Sequence, residues 1–247
     1  RDVLGSRGLG DVYKRQAYQM IIDAMDALTA EDEIAARRVI AADDAVDYDF
    51  NSIKRMLAAE IAADPGKVDA ALDLLMVIKY LERIGDHAVN LTENAQEFLD
   101  RSASLSPTAH QELMVLREVL GEILDYTYKA FAATDYEAAR HIEPVEEVVD
   151  DLVATLRANH IRRVRDGQCT VYAGLTFLDI LVNVERIADQ CSNVGVFTLS
   201  MFDEHIMNNH HDYIQALHQG KDPVFNRAYQ EAHDKYFGEL KRIERSK

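Results

Sequence analysis

Apolar residues recur every three or four positions from Tyr18 almost to the end of the chain, as Leu74, Ile78, Leu81 and Ala88 do in one stretch and Phe177, Leu181, Val184 and Ala188 in another. That spacing keeps one stripe of a 3.6-residue helix apolar, the mark of a helix that faces a core. The run breaks where capping and turn residues gather, at Thr29-Ala30-Glu31-Asp32, at Asp64-Pro65-Gly66 and from Ser102 to Pro107. Helices are therefore expected near 17–29, 32–62 and 67–101. Breaks near Ala133-Thr134-Asp135 and Arg165-Asp166-Gly167 predict three more, near 109–132, 135–165 and 169–200. After Met201 the chain turns polar through His205, His210 and His211, and Asp222-Pro223 opens a last amphipathic stretch through Lys241, so a connector and a C-terminal helix or two follow.

The second set of helices copies the first. Glu82-Arg83-Ile84-Gly85-Asp86 returns as Glu185-Arg186-Ile187-Ala188-Asp189, and an ungapped shift of 103 residues also aligns Ala27, Asp32 and Arg37 with Ala130, Asp135 and Arg140. The expected fold is all-α: two tandem three-helix antiparallel bundles, over 17–103 and 104–200, followed by a helical tail over 201–247. Residues 1–16 (RDVLGSRGLGDVYKRQ) have three glycines and no apolar periodicity where the repeat calls for a helix like His110 to Leu120. They resemble the junk translation at the ends of truncated reading frames and are set apart as a non-native segment.

Composition narrows the function classes. A net charge of -16 lacks the basic footprint that a nucleic-acid backbone requires, so nucleic acid is not an expected partner. Two cysteines in helical stretches, Cys169 and Cys191, do not make a disulfide framework. The longest uncharged run, Gln190 to Phe202, is short of the roughly 18 apolar residues that a membrane span needs. No phosphate-cradling glycine loop, nucleophile elbow or Cys-x-x-Cys pair appears, and no active site for turnover is expected.

The acids carry the chemistry. An Asp or Glu pair four apart lies about 40° apart around a helix and roughly 6 Å apart along it, on one face. Four such pairs occur: Asp43 with Asp47, Glu82 with Asp86, Glu146 with Asp150, and Glu185 with Asp189. In each copy the midpoint between the two pairs falls at the interhelical turn, at Asp64-Pro65 and at Gly167-Gln168, so antiparallel helices bring both pairs to one height. Four converging carboxylates raise one another's pKa unless a cation offsets the repulsion, and a hard or borderline cation with oxygen ligands is the economical partner. The plainer alternative has Arg83 and Arg186 bridging solvated acids. Asn90 and Asn193, a turn beyond the Asp, are open between ligand and helix-neighbour hydrogen bond, whereas His87 points about 100° away from Asp86 and is read as packing or surface. No His stands three residues after any of these acids, unlike the Glu-x-x-His of di-iron bundles.

Leu81-Glu82-Arg83-Ile84-Gly85-Asp86-His87-Ala88-Val89-Asn90 resembles the PhoU family, whose helical repeats carry Glu/Asp-x-x-x-Asp pairs that hold multinuclear metal clusters. The stretch from Asn159-His160-Ile161-Arg162-Arg163 through Gly167-Gln168-Cys169-Thr170 to Asn193 is similar to the C-terminal PhoU-like region of bacterial sodium/phosphate cotransporter proteins. The resemblance implies clusters of iron, zinc or manganese, one held by Asp43, Asp47, Glu82 and Asp86 and the other by Glu146, Asp150, Glu185 and Asp189. It also implies a regulatory domain on the cytoplasmic face of a bacterial membrane, tuning phosphate uptake, with a transmembrane Na/Pi transport domain upstream in the same chain. A free-standing PhoU-type adaptor that contacts a phosphate ABC transporter and a sensor kinase is the alternative, and a metal-free scaffold the third reading. Oligomeric state is open, a homo-oligomer included.

Overall fold

The computed structural model describes residues 7–100, 105–203, 206, 209–220 and 222–245. Among these residues the chain is helical throughout, with α1 (Arg7–Ala30), α2 (Glu33–Ala63), a 3₁₀ turn at Pro65–Lys67, α3 (Val68–Asp100), α4 (Pro107–Ala133), α5 (Tyr136–Arg165), α6 (Val171–Ser200), α7 (His210–His218) and α8 (Pro223–Arg245).

The repeat is copied down to the helix caps. Asp32 accepts from the Ile34 and Ala35 amides at 2.9 and 3.1 Å, and Asp135, 103 residues on, accepts from those of Glu137 and Ala138 at 3.0 Å. Each cap satisfies donors that the first helical turn leaves orphaned. The preceding residue turns left-handed in both copies, at Glu31 and Thr134, each with φ 52°. Asp64 caps the Pro65–Lys67 turn, and Gly167 (φ 73°) closes the matching turn of the second copy.

Helix α3 packs between α2 and α6, and α6 between α3 and α5, which makes a four-helix layer in the order α2, α3, α6, α5. Helices α1 and α4 pack on each other behind that layer. Each repeat is a three-helix bundle, yet the two share one continuous core, from Met25 and Leu28 in α1 through Ile84 and Leu91 in α3 to Leu120, Leu152 and Leu181. Among the described residues the main contacts of α8 are with the second repeat, against α5 and α4, through Phe225, Ala232, Tyr236 and Leu240.

One feature differs from expectation. Helix α1 starts at Arg7 rather than near 17, since Gly8 and Gly10 cost only about 1 kcal/mol each in a helix that its C-terminal half already anchors. Residues 1–6 lie outside the described residues, as do His205 and the side chains of His210 and His211. The connector carries its own short helix, α7, because Leu217 finds a buried seat.

Candidate metal centre

In the first repeat, α2 supplies Asp43 and Asp47 and α3 supplies Glu82 and Asp86, and the four act on one another as charges. The Asp43 carboxyl is pushed up to about 6 by burial, then by Asp47, Asp86, Asp44 and Glu82. Asp86 is raised by burial and by Glu82, with Lys79 opposing. Gly85 faces the α2 pair at ordinary contact distance: a Cβ there would stand 3.5 Å from Val46 Cγ1 and 3.6 Å from Asp43 Oδ1. That Oδ1 is buried and has no hydrogen-bond partner. A buried acceptor without a partner is costly, so this oxygen is the atom in the site most in need of a cation or water.

The second repeat repeats the arrangement at greater depth. Glu146 is buried, and its carboxyl is pushed up to about 9 by burial, then by Glu143, Asp150, Asp189 and Glu147. Asp150 rises to about 6 through burial, then Glu185 and Asp189, and its Oδ1 is again buried without a partner. Asp189 is raised by burial and Glu185. In both copies the charges of one pair reach the other across the turn. Lys79 pairs with Glu82 and Arg157 stands 3.2 Å from Glu185, while the Arg186 charge opposes the rise of Asp189.

Sequence reasoning missed the upper end of this second row. Glu143, one turn before Glu146, is buried, accepts from the Ser192 hydroxyl, and lies 3.0 Å from Nε2 of His218 in α7. The same nitrogen stands 3.4 Å from Glu147. The i,i+4 spacing of Glu143 and Glu147 was a visible signal, but the aligned residue in the first copy is Ile40, so the repeat gave no support to it.

His87 sits on the α3–α6 seam between the two sites, with Nδ1 3.0 Å from Asn183 Oδ1. The Asn90 amide donates to the same oxygen at 3.3 Å, and Asn193 donates to its own helix at the Asp189 carbonyl, 2.9 Å away. Both asparagines are thus engaged with helix neighbours in this conformation. Among the described residues, no three His, Cys, Asp or Glu side chains stand close enough to enclose an ion as they are placed. The all-oxygen chemistry of each set, with a buried oxygen that lacks a partner, is of the kind that a hard cation takes. Bound there, a cation would supply charge neutralisation across two antiparallel helices.

Together these features define a duplicated three-helix-bundle protein with two carboxylate pairs in each copy. The chain belongs to the PhoU family: the sequence model of the PhoU domain matches residues 13–95 and again 113–198. It is 24% identical over 178 residues to the phosphate-specific transport system accessory protein PhoU homolog 1 of Thermotoga maritima, covering 70% of this chain and 75% of that protein. It is 29% identical over 187 residues to the accessory protein PhoU of Escherichia coli, covering 72% and 74%. The crystal structure of PhoU from Pseudomonas aeruginosa superposes with a TM-score of 0.73 at 19% identity, covering 78% of this chain and 93% of that one. The Streptococcus pneumoniae phosphate transport regulatory protein PhoU does so at 0.64 and 22%, covering 80% and 91%. No helix among the described residues is long and apolar enough to cross a membrane. These relatives are named for the phosphate-specific transport system, and they lend no support to the expected Na/Pi transport domain in the same chain.

Proposed function

We propose that this chain is an accessory regulator of phosphate uptake that works beside a phosphate-specific transport system on the cytoplasmic side of a bacterial membrane. The observation that carries the reading is the match of the PhoU domain to both repeats, joined to relatives that are themselves named accessory proteins of that system. It favours the free-standing regulator over an appendage of a sodium/phosphate cotransporter. No turnover is assigned to it.

The metal centres belong to the same proposal. Asp43, Asp47, Glu82 and Asp86 form one cluster site and Glu146, Asp150, Glu185 and Asp189 the other, with iron, zinc or manganese as the candidate ions. The unpartnered Asp43 and Asp150 oxygens and the upward-shifted carboxyls support this reading. The test is metal content by mass spectrometry on untagged protein, beside Glu82→Ala/Asp86→Ala and Glu185→Ala/Asp189→Ala. Each double variant is expected to lose one site's metal and keep the other's. Equal metal in all three proteins would refute the assignment. Complementation of phosphate uptake in a strain lacking the gene tests the regulatory half separately.

A further inference from the structure

The acid row of the second repeat is one step longer than that of the first. The hydroxyl of Ser192 on α6 donates to Glu143 on α5. From that contact, the antiparallel helices set Glu146 level with Asp189 and Asp150 level with Glu185. The charges agree with this register: Asp189 is among the acids that raise Glu146, and Glu185 is the leading one at Asp150. Shifted back by 103 residues, the rung of Glu143 and Ser192 becomes Ile40 and Val89, so the first repeat keeps only two of the three rungs polar.

Glu146, in the middle rung, is only 7% exposed, and no hydrogen bond reaches its carboxyl among the described residues. A buried carboxyl without a donor calls for a proton or a cation. After burial, Glu143 is the group that raises Glu146 most, and its charge acts on Asp189 as well. Glu143 is itself buried, with Oε2 held by the Ser192 hydroxyl and Oε1 3.0 Å from Nε2 of His218. These contacts fix the direction of the carboxylate and occupy one lone pair on each oxygen, so each oxygen keeps another to offer. Carboxylates that ligate metal are commonly held by outer hydrogen bonds of this kind.

We propose that Glu143 is a fifth carboxylate ligand of the second repeat's cation site, aimed by Ser192 and His218, with no counterpart in the first repeat. The inference rests on the metal reading above and deepens it: the two sites differ in ligand number, five carboxylates against four, and so in the positive charge they hold. The ligand class is a hard or borderline cation that takes oxygen donors. His218 belongs to α7, so the tail serves this site as a positioning element.

The test is equilibrium dialysis of the whole chelator-treated chain against manganese(II) chloride, with bound metal read by mass spectrometry. Glu143→Gln and Glu147→Gln are compared in two backgrounds: Glu82→Ala/Asp86→Ala, which leaves the second site, and Glu185→Ala/Asp189→Ala, which leaves the first. In the former, Glu143→Gln is expected to weaken manganese binding at least tenfold, and Glu147→Gln, which removes the same charge beside Glu146, less than threefold. In the latter, Glu143→Gln should leave binding within twofold. Circular dichroism of metal-free Glu143→Gln, expected to show the parent's helix content, keeps lost ligation apart from lost fold. Equal weakening by the two Gln variants, or none by Glu143→Gln, would overturn this inference while leaving the metal sites standing. No manganese on the parent chain would overturn the metal reading itself.

Discussion

Helices α2 and α5 occupy the same place in their repeats, yet α5 has 14 buried residues along its length and α2 only five. Their caps and preceding turns match, so the contrast does not lie in local sequence rules. The tail contributes to it: α8 adds a third neighbour to α5, and His218 of α7 meets the α5 acids Glu143 and Glu147. The same carboxylate pattern therefore sits in two settings: Asp43 rises to about 6 where its aligned partner Glu146 rises to about 9. Duplication fixed the frame, and burial then set the chemistry of each copy.

The strongest way to break this comparison is to remove α8. Truncation after Gly220 strips Phe225, Tyr236 and Leu240 from the core, at about 1.5–3 kcal/mol per buried side chain. At about 2–4 °C per kcal/mol for a chain of this size, the melting temperature should fall by roughly 10–35 °C. Alanine at both Ile34 and Tyr48 on the open α2 face should shift it by less than about 2 °C. Similar shifts for the two changes, read by calorimetry, would dissolve the distinction between covered and open faces.

A smaller effect separates the acid clusters by pH. The Glu146 carboxyl, raised from 4.5 to about 9, favours the folded form while both states hold the proton, and that stability is lost as pH rises through the folded value. Asp43 and Asp150 act in the same direction, but their window closes near 6. His160, lowered from 6.5 to about 4 by burial and then by Arg163, acts in the opposite sense below 6.5. Chelator-treated protein should therefore lose stability from pH 6.5 to 9, and Glu146→Gln should flatten that slope while Asp43→Asn leaves it in place. An unchanged slope in Glu146→Gln would mean that its setting is no drier than that of Asp43.

The smallest test concerns helix spacing. A Cβ on Gly195 would stand 3.0 Å from Ile142 Cδ1 and 3.2 Å from its Cβ, so Gly195→Ala should cost about 1–3 kcal/mol in urea unfolding. At Gly85 the nearest atoms are at ordinary contact distance, and the second repeat already carries Ala188 at the aligned position. Gly85→Ala should be neutral or gain up to about 1 kcal/mol from helix propensity. A cost at Gly85 as large as that at Gly195 would show that α2 and α3 are as tightly set as α5 and α6.

The sequence made the helices, their antiparallel pairing and the four acid pairs legible, because apolar period, capping Asp residues and the symmetry of Asp64-Pro65 and Gly167 are all local signals. What it hid is non-local. The buried pair of Arg163 with Glu112, at 2.6 and 2.7 Å, and the stacking of His160 on Phe177 join residues from three helices that no spacing rule connects. Likewise, His218 lies 75 residues from Glu143, so its place over the acid row follows only from where α7 docks. The start of α1 was misplaced because glycines weaken a helix without ending it.

The tail's position also has a consequence in time. On the ribosome, α5 emerges about 80 residues before the end of α8, which at 5–20 residues per second leaves roughly 4–16 s before its cover exists. During that interval Pro144 and Val148 face solvent as Ala41 and Ala45 do in the finished protein. The two outer helices are thus briefly alike in lacking a cover, until α8 closes over one of them.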